Sequence, residues 1–523
     1  MTPEKASPLL LDGSSLTIDH LVAVAEQRRE VRLAPAARER MLATRGIVEG
    51  IASRGEAVYG VTTGFGKLSD FAIPPHQLAQ LQVNLVRSHA AGVGPRLPAR
   101  EVRAMMLLRA NVLAKGFSGA RPELAELLCA MLNAGLHPSV PEQGSVGASG
   151  DLAPLAHLAL ALIGEGELQH PARHGGGEAG GESDGAATRV GPAADVLRAH
   201  GLEPVVLGPK EGLALINGTQ AHTAIAALSL AEAKRCWEAA HMAGATSLEA
   251  LLGTPAAFDA RIHAARGQRG QMESAALLLE LLADSEIRES HREGDARVQD
   301  AYALRCMPQV HGPVLEAMRF AEGLIATELN AATDNPLVFD DGTMLSGGNF
   351  HGQAVAMALD VLAIAMTNLA AMSERRTDRL VHPDLNEGLP PFLSTTAGVS
   401  SGFMMAQVTA AAITSECKVL SHPASVDTIP TDGNKEDVVP MAMGAAIKLR
   451  RILHNLRHVI AVELMCGAQG LESRRPLRAG VGVERAYAAV RALVPALVED
   501  RVLGPDIERL AVAIGEGRFG VRA

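Results

Sequence analysis

Three glycines, Gly144, Gly147 and Gly150, fall within the stretch Gly144-Ser-Val-Gly-Ala-Ser-Gly-Asp-Leu-Ala-Pro-Leu-Ala-His157, which constrains this chain more than any other. Glycine accepts positive φ and lets one backbone approach another, so the segment can bend more sharply than ordinary chain. Such a bend can press the amide nitrogen of Gly150 onto the carbonyl carbon of Ala148, where a five-membered ring closes. Loss of two waters then leaves the Ser149 side chain as an exocyclic methylidene, an electrophile that no standard side chain supplies. Ala148 and Gly150 are small enough to be compressed, and Ser149 carries the β-hydroxyl that elimination needs. A plainer use of Ala-Ser-Gly stays open: a polar turn before a helix, with Ser149 or Asp151 as N-cap.

A chain of 523 residues can bury a large core, and by length alone it suggests two or more domains. Hydrophobic residues make up 47% of it but aromatics only 3%, so small and aliphatic side chains must fill the interior and helices can pack closely. Helical spacing recurs at 35–54, 77–86, 101–115, 122–134 and 155–163, then over longer runs at 217–244, 309–332, 353–376, 403–420 and 441–469. Rods of about twenty to thirty residues span ~30–45 Å and pack as bundles with their glycine-rich junctions at the ends. The expectation is a mainly α protein divided into 1–210 and 211–523. Within the first part, 170–191 is rich in Gly, Ala, His and acidic residues without an apolar period, and reads as a flexible surface insertion.

The net charge of −10 comes without any Lys/Arg-rich run, which argues against a nucleic-acid partner. Five widely spaced cysteines, Cys129, Cys236, Cys306, Cys417 and Cys466, suggest neither a disulfide framework nor a metal site and fit a reducing cytoplasm. The first residues, Met1-Thr-Pro-Glu-Lys5, show no signal-peptide pattern. The most apolar stretch, 354–372, contains Asp360 and runs into Glu374-Arg375-Arg376, so a buried helix is expected there rather than a membrane span. Gly398-Val-Ser-Ser-Gly402 has the spacing of a serine-hydrolase elbow but lacks the strand that must precede one.

Several further residues carry chemistry, each with a plainer alternative. Tyr59, in Tyr59-Gly-Val-Thr-Thr-Gly-Phe-Gly66, reads by itself as a half-buried packing residue in a glycine-rich turn that lacks the spacing of a nucleotide loop. Gln299, Tyr302 and Arg305 recur at three-residue intervals in Val298-Gln-Asp-Ala-Tyr-Ala-Leu-Arg-Cys306, sharing one face of a helix or tight turn, solvated or ligand-binding. Asn217 stands at the start of an apolar helix, as an N-cap or a site residue. By themselves Phe350 reads as core packing, His89 as a satisfied core histidine and Glu436 as a surface charge in an acidic turn.

In these segments the chain resembles the aromatic amino acid ammonia-lyases, which carry a self-made methylidene-imidazolone (MIO), and the likeness covers nearly everything outside 170–191 and the first few residues. The resemblance implies a fumarase/aspartase-like long helical bundle with an N-terminal MIO-bearing domain, a homotetramer with active sites shared between subunits, and no external cofactor. It makes Ala148, Ser149 and Gly150 the source of MIO and Tyr59 the base that removes the substrate β-proton, for which its phenol needs a lowered pKa. It pairs Arg305 with the substrate carboxylate and sets Gln299 and Tyr302 as hydrogen-bond partners of cofactor or substrate. It places Asn217 beside MIO and Phe350 at the border of the site. His89 and Glu436 resemble the residues of members that act on histidine, because a carboxylate facing an imidazole holds it by a charge-assisted hydrogen bond. The implied reaction is conversion of L-histidine to trans-urocanate and ammonia, the entry step of histidine degradation. A tyrosine or phenylalanine lyase or aminomutase, and a non-catalytic scaffold, are the alternatives. Ala303 stands where the family pattern has Ser, and Lys435, Val438 and Pro440 where members acting on histidine commonly show Gln, His and Ser.

Overall fold

Prolines open and glycines close two of the early helices. Pro35 and Pro122 occupy first-turn positions of Pro35–Arg54 and Pro122–Ala134, where their missing amide proton costs no hydrogen bond, and Gly55 and Gly135 end them at φ +67° and +71°. The computed structural model describes residues 7–171, 188–295 and 297–521. The long helices are Gln220–Ala250, Met307–Glu328, Gln353–Val381, Met404–Leu420 and Ala442–Glu472, each overlapping its expected range and departing from it at an end by no more than six residues. Val481–Leu493 and Gly504–Gly515 are helices for which the sequence reading had no range.

The chain forms two compact units: 1–228 with 323–359 and 423–447, and 229–322 with 360–422 and 448–523. Both are discontinuous in sequence, unlike the contiguous 1–210 and 211–523 expected above. Periodicity tells which face of a helix is apolar but not which neighbour covers it.

In the first unit, Ala99–Ala114 is buried on all sides from Glu101 onward. A helix without a polar face needs its charges satisfied internally, and Arg109 meets this by donating to the carbonyls of Ala214 at 2.9 Å and Asn217 at 3.0 and 3.1 Å, and to Gln220 Oε1. Short strands complete the unit. Glu167–Pro171 pairs antiparallel with Thr188–Pro192, so the ends of the expected 170–191 insertion are strand, and 172–187 lie outside the described residues.

In the second unit, the carboxylate of Glu463 is fully buried and fully used. It accepts from Arg376 Nε at 2.5 Å and Nη2 at 2.9 Å, from Ser247 Oγ at 2.7 Å and from Ser373 Oγ at 2.6 Å. Residues on three long helices thus meet at one charge. Gly398–Gly402 lies in turns leading to Met404–Leu420, with the amides of Ser401 and Gly402 bonded to Asp500, an arrangement unlike a hydrolase elbow. Among the described residues one helix, Gln353–Val381, is long and apolar enough to cross a membrane, but 61% of its apolar window is buried in the protein. Asp360 within it pairs with Lys448 at 3.0 Å.

Removing one partner of a buried, satisfied ion pair leaves the other charge uncompensated, which typically costs about 3–5 kcal/mol. Glu463→Ala is therefore expected to lower stability by that amount, read as a shift in the denaturation midpoint, whereas Arg451→Ala, which breaks an exposed pair with Glu416, should move it by less than about 1 kcal/mol.

Candidate active site

The loop 144–151 is folded against the segment Asn217–His222. Gly150 adopts φ +72°, and a Cβ there would lie 2.1 Å from the carbonyl oxygen of Gly218, so only glycine allows this approach. Gly218, at φ +144°, is equally enclosed: its Cβ would meet Gln220 Oε1 at 2.5 Å and Arg109 Nη2 at 2.7 Å. The two backbones are joined by Asp151 N donating to Gly218 O at 2.7 Å. Asn217 does not cap the following helix as a polar residue at its start would. It ends the short helix Glu211–Ile216, its carbonyl held by Arg109, and its Nδ2 donates to the carbonyl of Ser149 at 2.8 Å.

Asp151 anchors this fold-back. One carboxylate oxygen accepts from the amides of Ala221 and His222, both at 2.9 Å, in the first turn of Gln220–Ala250, and the other from Ser145 Oγ at 2.8 Å. His222 Nδ1 lies 2.8 and 3.0 Å from the two oxygens, with both side chains fully buried. A helix N-terminus favours an anion at this place. Burial works against the charge on each partner, yet the mutual attraction and hydrogen bonds prevail: the Asp151 pKa is lowered and that of His222 raised.

Ser149 opens on two adjoining cavities. The first, of about 670 Å³, is also lined by Tyr59, Leu85, His89, Asn217 and Glu436. The second, of about 500 Å³, shares Tyr59, Ser149, Asp432 and Glu436 with it and adds Ala148, Phe350, His351 and Lys435. His89, the last residue of Leu78–His89, is turned by contacts of Nδ1 with the carbonyl of Leu85 at 2.8 Å and with Ser88 Oγ at 3.1 Å. Glu436 receives a hydrogen bond from Thr431 Oγ1. Tyr59 Oη accepts from Gly66 N at 3.4 Å, and its ring meets Phe65 edge-on. Its phenol pKa is shifted up, not down: burial is the main cause, the carboxylates of Asp432, Glu436 and Asp334 push the same way, and the Gly66 amide offsets only part. The lowered pKa that a base at this position needs is thus not supplied by these neighbours.

A sequence profile of aromatic amino acid lyases matches residues 16–492. The chain belongs to the aromatic amino acid lyase family. A histidine ammonia-lyase of Anaeromyxobacter sp. (strain K) is 55% identical over 513 residues, 97% of this chain and 99% of that protein. The crystal structure of histidine ammonia-lyase from Trypanosoma cruzi matches with a TM-score of 0.88 at 42% identity, over 98% of this chain and 94% of that one. Tyrosine aminomutase from Streptomyces globisporus matches with a TM-score of 0.90 at 37% identity, over 98% of each chain. The mainly helical fold of the present chain is that of this lyase family.

Of the residues singled out in the sequence of this lyase, the cavities bring together Tyr59, His89, Ala148, Ser149, Asn217, Phe350 and Glu436, all in the first unit, with Gly150 behind them. Gln299, Tyr302 and Arg305 belong to the second unit. There Tyr302–Arg305 is a single helical turn, Gln299 and Tyr302 are exposed, and Arg305 stacks over the Tyr302 ring at 4.7 Å with its Nε buried and without a hydrogen-bond partner. The sequence reading missed Arg109 and His222. Arg109 is a lone charge among apolar neighbours in Leu107-Leu108-Arg109-Ala110, which was an available signal; His222, in Gln220-Ala221-His222-Thr223-Ala224, lies among other polar residues and has no such mark.

The Asp151–His222 pair sets a pH window for stability. A lowered Asp151 pKa contributes fully above its ordinary value of 3.8 and is lost as pH falls through the folded value, while a raised His222 pKa contributes fully below 6.5 and is lost as pH rises through its own. The stability difference between wild type and Asp151→Asn, measured by denaturant titration across pH, should therefore be largest between those two values and shrink on either side.

Proposed function

We propose that this protein removes ammonia from L-histidine without oxidation, yielding trans-urocanate, the activity for which its relatives are named, and that Ala148, Ser149 and Gly150 form its MIO group. The observation that carries this reading is the gathering of His89 and Glu436 with Ser149, Tyr59 and Asn217 around one cavity. The residues present suit the ring. Gly150 lies against Gly218 with no space for a side chain, the Ser149 carbonyl is held by the Asn217 amide, and Asn217 Oδ1 is buried without a partner, an acceptor left for a group brought to the site. When present, MIO supplies an electrophilic carbon that turns an amino nitrogen into a better leaving group.

The chain's own residues do the rest. Glu436 and His89 hold the substrate imidazole; a phenyl ring in its place would leave the carboxylate with Thr431 Oγ1 as its side-chain donor and one partner short, at a cost of about 1–3 kcal/mol. Tyr59 takes the β-proton, and because its immediate neighbours are anionic, a cation has to come to it. Arg305 is the group suited to both tasks, lowering the phenol pKa and pairing with the substrate carboxylate through its fork of donors. Gln299, Tyr302 and Arg305 reach the cavity from another copy of the chain in a homotetramer. The exposure of Tyr302, at 70%, supports this assignment. Phe350 and Lys435 both line the second cavity. The five cysteines are all free, in keeping with a cytoplasmic enzyme.

Purified protein assayed against histidine, tyrosine and phenylalanine should form urocanate from the first and neither coumarate nor cinnamate from the others. Coumarate or cinnamate without urocanate would overturn the reading, and a β-amino acid product would make the enzyme an aminomutase. Glu436→Gln should lower kcat/KM for histidine roughly ten- to a hundredfold, the equivalent of about 1.5–3 kcal/mol for a lost charge-assisted contact.

A further inference from the structure

His222 takes no part in the reaction just described, yet it is built into the loop that bears the reacting serine. Its imidazole is fully buried, with Nδ1 on Asp151 and Nε2 without a hydrogen-bond partner. On the other side it rests against Gly352, where a Cβ would fall 2.6 Å from His222 Cε1 and 2.8 Å from Nε2. The amide of Gly352 in turn donates to the carbonyl of Gly147 at 3.0 Å. The ring is therefore wedged between Asp151, which directly follows the tripeptide, and the residue that holds the turn preceding it. The charged groups that act on it are Asp151 and Glu328, the latter fixed by a 2.6 Å hydrogen bond from Thr219 Oγ1.

We propose that His222 is a positioning residue for MIO formation: it holds the Asp151 carboxylate in place, so that Gly150 stays pressed against Gly218 and the tripeptide is kept in the bent form from which the ring closes. The inference rests on the reading of Ala148-Ser149-Gly150 as the ring-forming segment. Closure forms a bond from Gly150 N to the Ala148 carbonyl carbon. The Ala148 oxygen leaves as water with the amide protons of Gly150 and Ser149, leaving a carbon–nitrogen double bond. The Ser149 hydroxyl leaves with the Ser149 Cα proton as the second water, leaving the methylidene. Nothing is oxidised or reduced, and no co-reactant is needed.

An amide nitrogen is a weak nucleophile and its peptide plane resists deformation, so the rate of such a closure depends on how completely the bent geometry is held beforehand. Asp151 does the holding through the Gly218 carbonyl, Ser145 and the first turn of Gln220–Ala250. A carboxylate buried to this degree without a cation would take up a proton or turn away, releasing those donors. His222, with Nδ1 at 2.8 and 3.0 Å from the two Asp151 oxygens and its own pKa raised by that carboxylate, opposes both.

The test compares wild type, His222→Ala, His222→Asn and Ser149→Ala, the last as an uncyclised reference, by intact mass at intervals after synthesis, with circular dichroism and thermal melting as controls of folding. Wild type should lack two waters and Ser149→Ala should retain its full mass. His222→Ala should dehydrate at least tenfold more slowly, and His222→Asn, whose amide places a donor where Nδ1 stands, should recover part of the rate. If His222→Ala is folded like wild type and dehydrates at the same rate, or if folded His222→Asn does no better than folded His222→Ala, the proposal fails. Should His222→Ala not fold, His222→Asn against wild type decides: slower loss of water supports the proposal and an equal rate overturns it. A wild-type chain of full mass overturns the reading of the tripeptide itself, and this inference with it, whereas dehydrated wild type with equally dehydrated variants overturns the role of His222 alone.

Discussion

One buried carboxylate ties the candidate site together. Asp151 is the first residue after the tripeptide. Its oxygens collect the Ser145 hydroxyl, two helix-terminal amides and the His222 imidazole, while its own amide binds the Gly218 carbonyl. An isolated charge at this depth would be untenable, and a charge with this many donors is instead a rigid junction. Because the donors come from both the loop and the segment 217–222, satisfying Asp151 is equivalent to folding one onto the other. The steric demand at Gly150 and Gly218 then follows from how closely that electrostatic junction draws the backbones together.

The same segment is gripped from the other side by Arg109. Its guanidinium, wholly buried and with a pKa lowered by burial to about 10, donates from Nη1 and Nη2 to the carbonyls of Ala214 and Asn217 and to Gln220. Asn217 is thereby fixed through its backbone and left free to offer its side-chain amide to the Ser149 carbonyl. Neither Arg109 nor Asp151 has to touch a substrate to govern the geometry at Ser149. The cavity in front has the opposite character, with Asp432 and Glu436 beside a half-buried phenol that they make harder to ionise. A site of this charge suits an imidazole-bearing amino acid, and it calls for a cation near the substrate carboxylate.

Much of this was legible in the residues. The long helices stand close to the ranges read from apolar spacing, because an amphipathic period is a local property. The Gly144–His157 stretch announced its sharp turn through its glycines, and Tyr59, His89, Phe350 and Glu436 were each recognisable as candidates. Two local expectations were displaced. Asn217 ends a helix instead of starting one, since Arg109 captures its carbonyl and Gly218 breaks the chain direction. The ends of 170–191 are paired strands, because Leu168 and its neighbours find partners in 188–192 that composition alone does not reveal.

What the sequence determined by itself was the helical class of the protein, the sharp glycine turn around Ala148-Ser149-Gly150, and which side chains were candidates for a site, since backbone propensity, residue size and functional groups belong to each residue wherever it lies. Tertiary structure alone decided which of them meet. It put Arg109 under Asn217 and His222 beside Asp151, joined Tyr59 and Glu436 to one cavity, and drew each compact unit from three separate stretches of chain. The physical reason is that a buried polar group must find its partner wherever the fold supplies one, and that partner carries no mark in the local sequence around either residue.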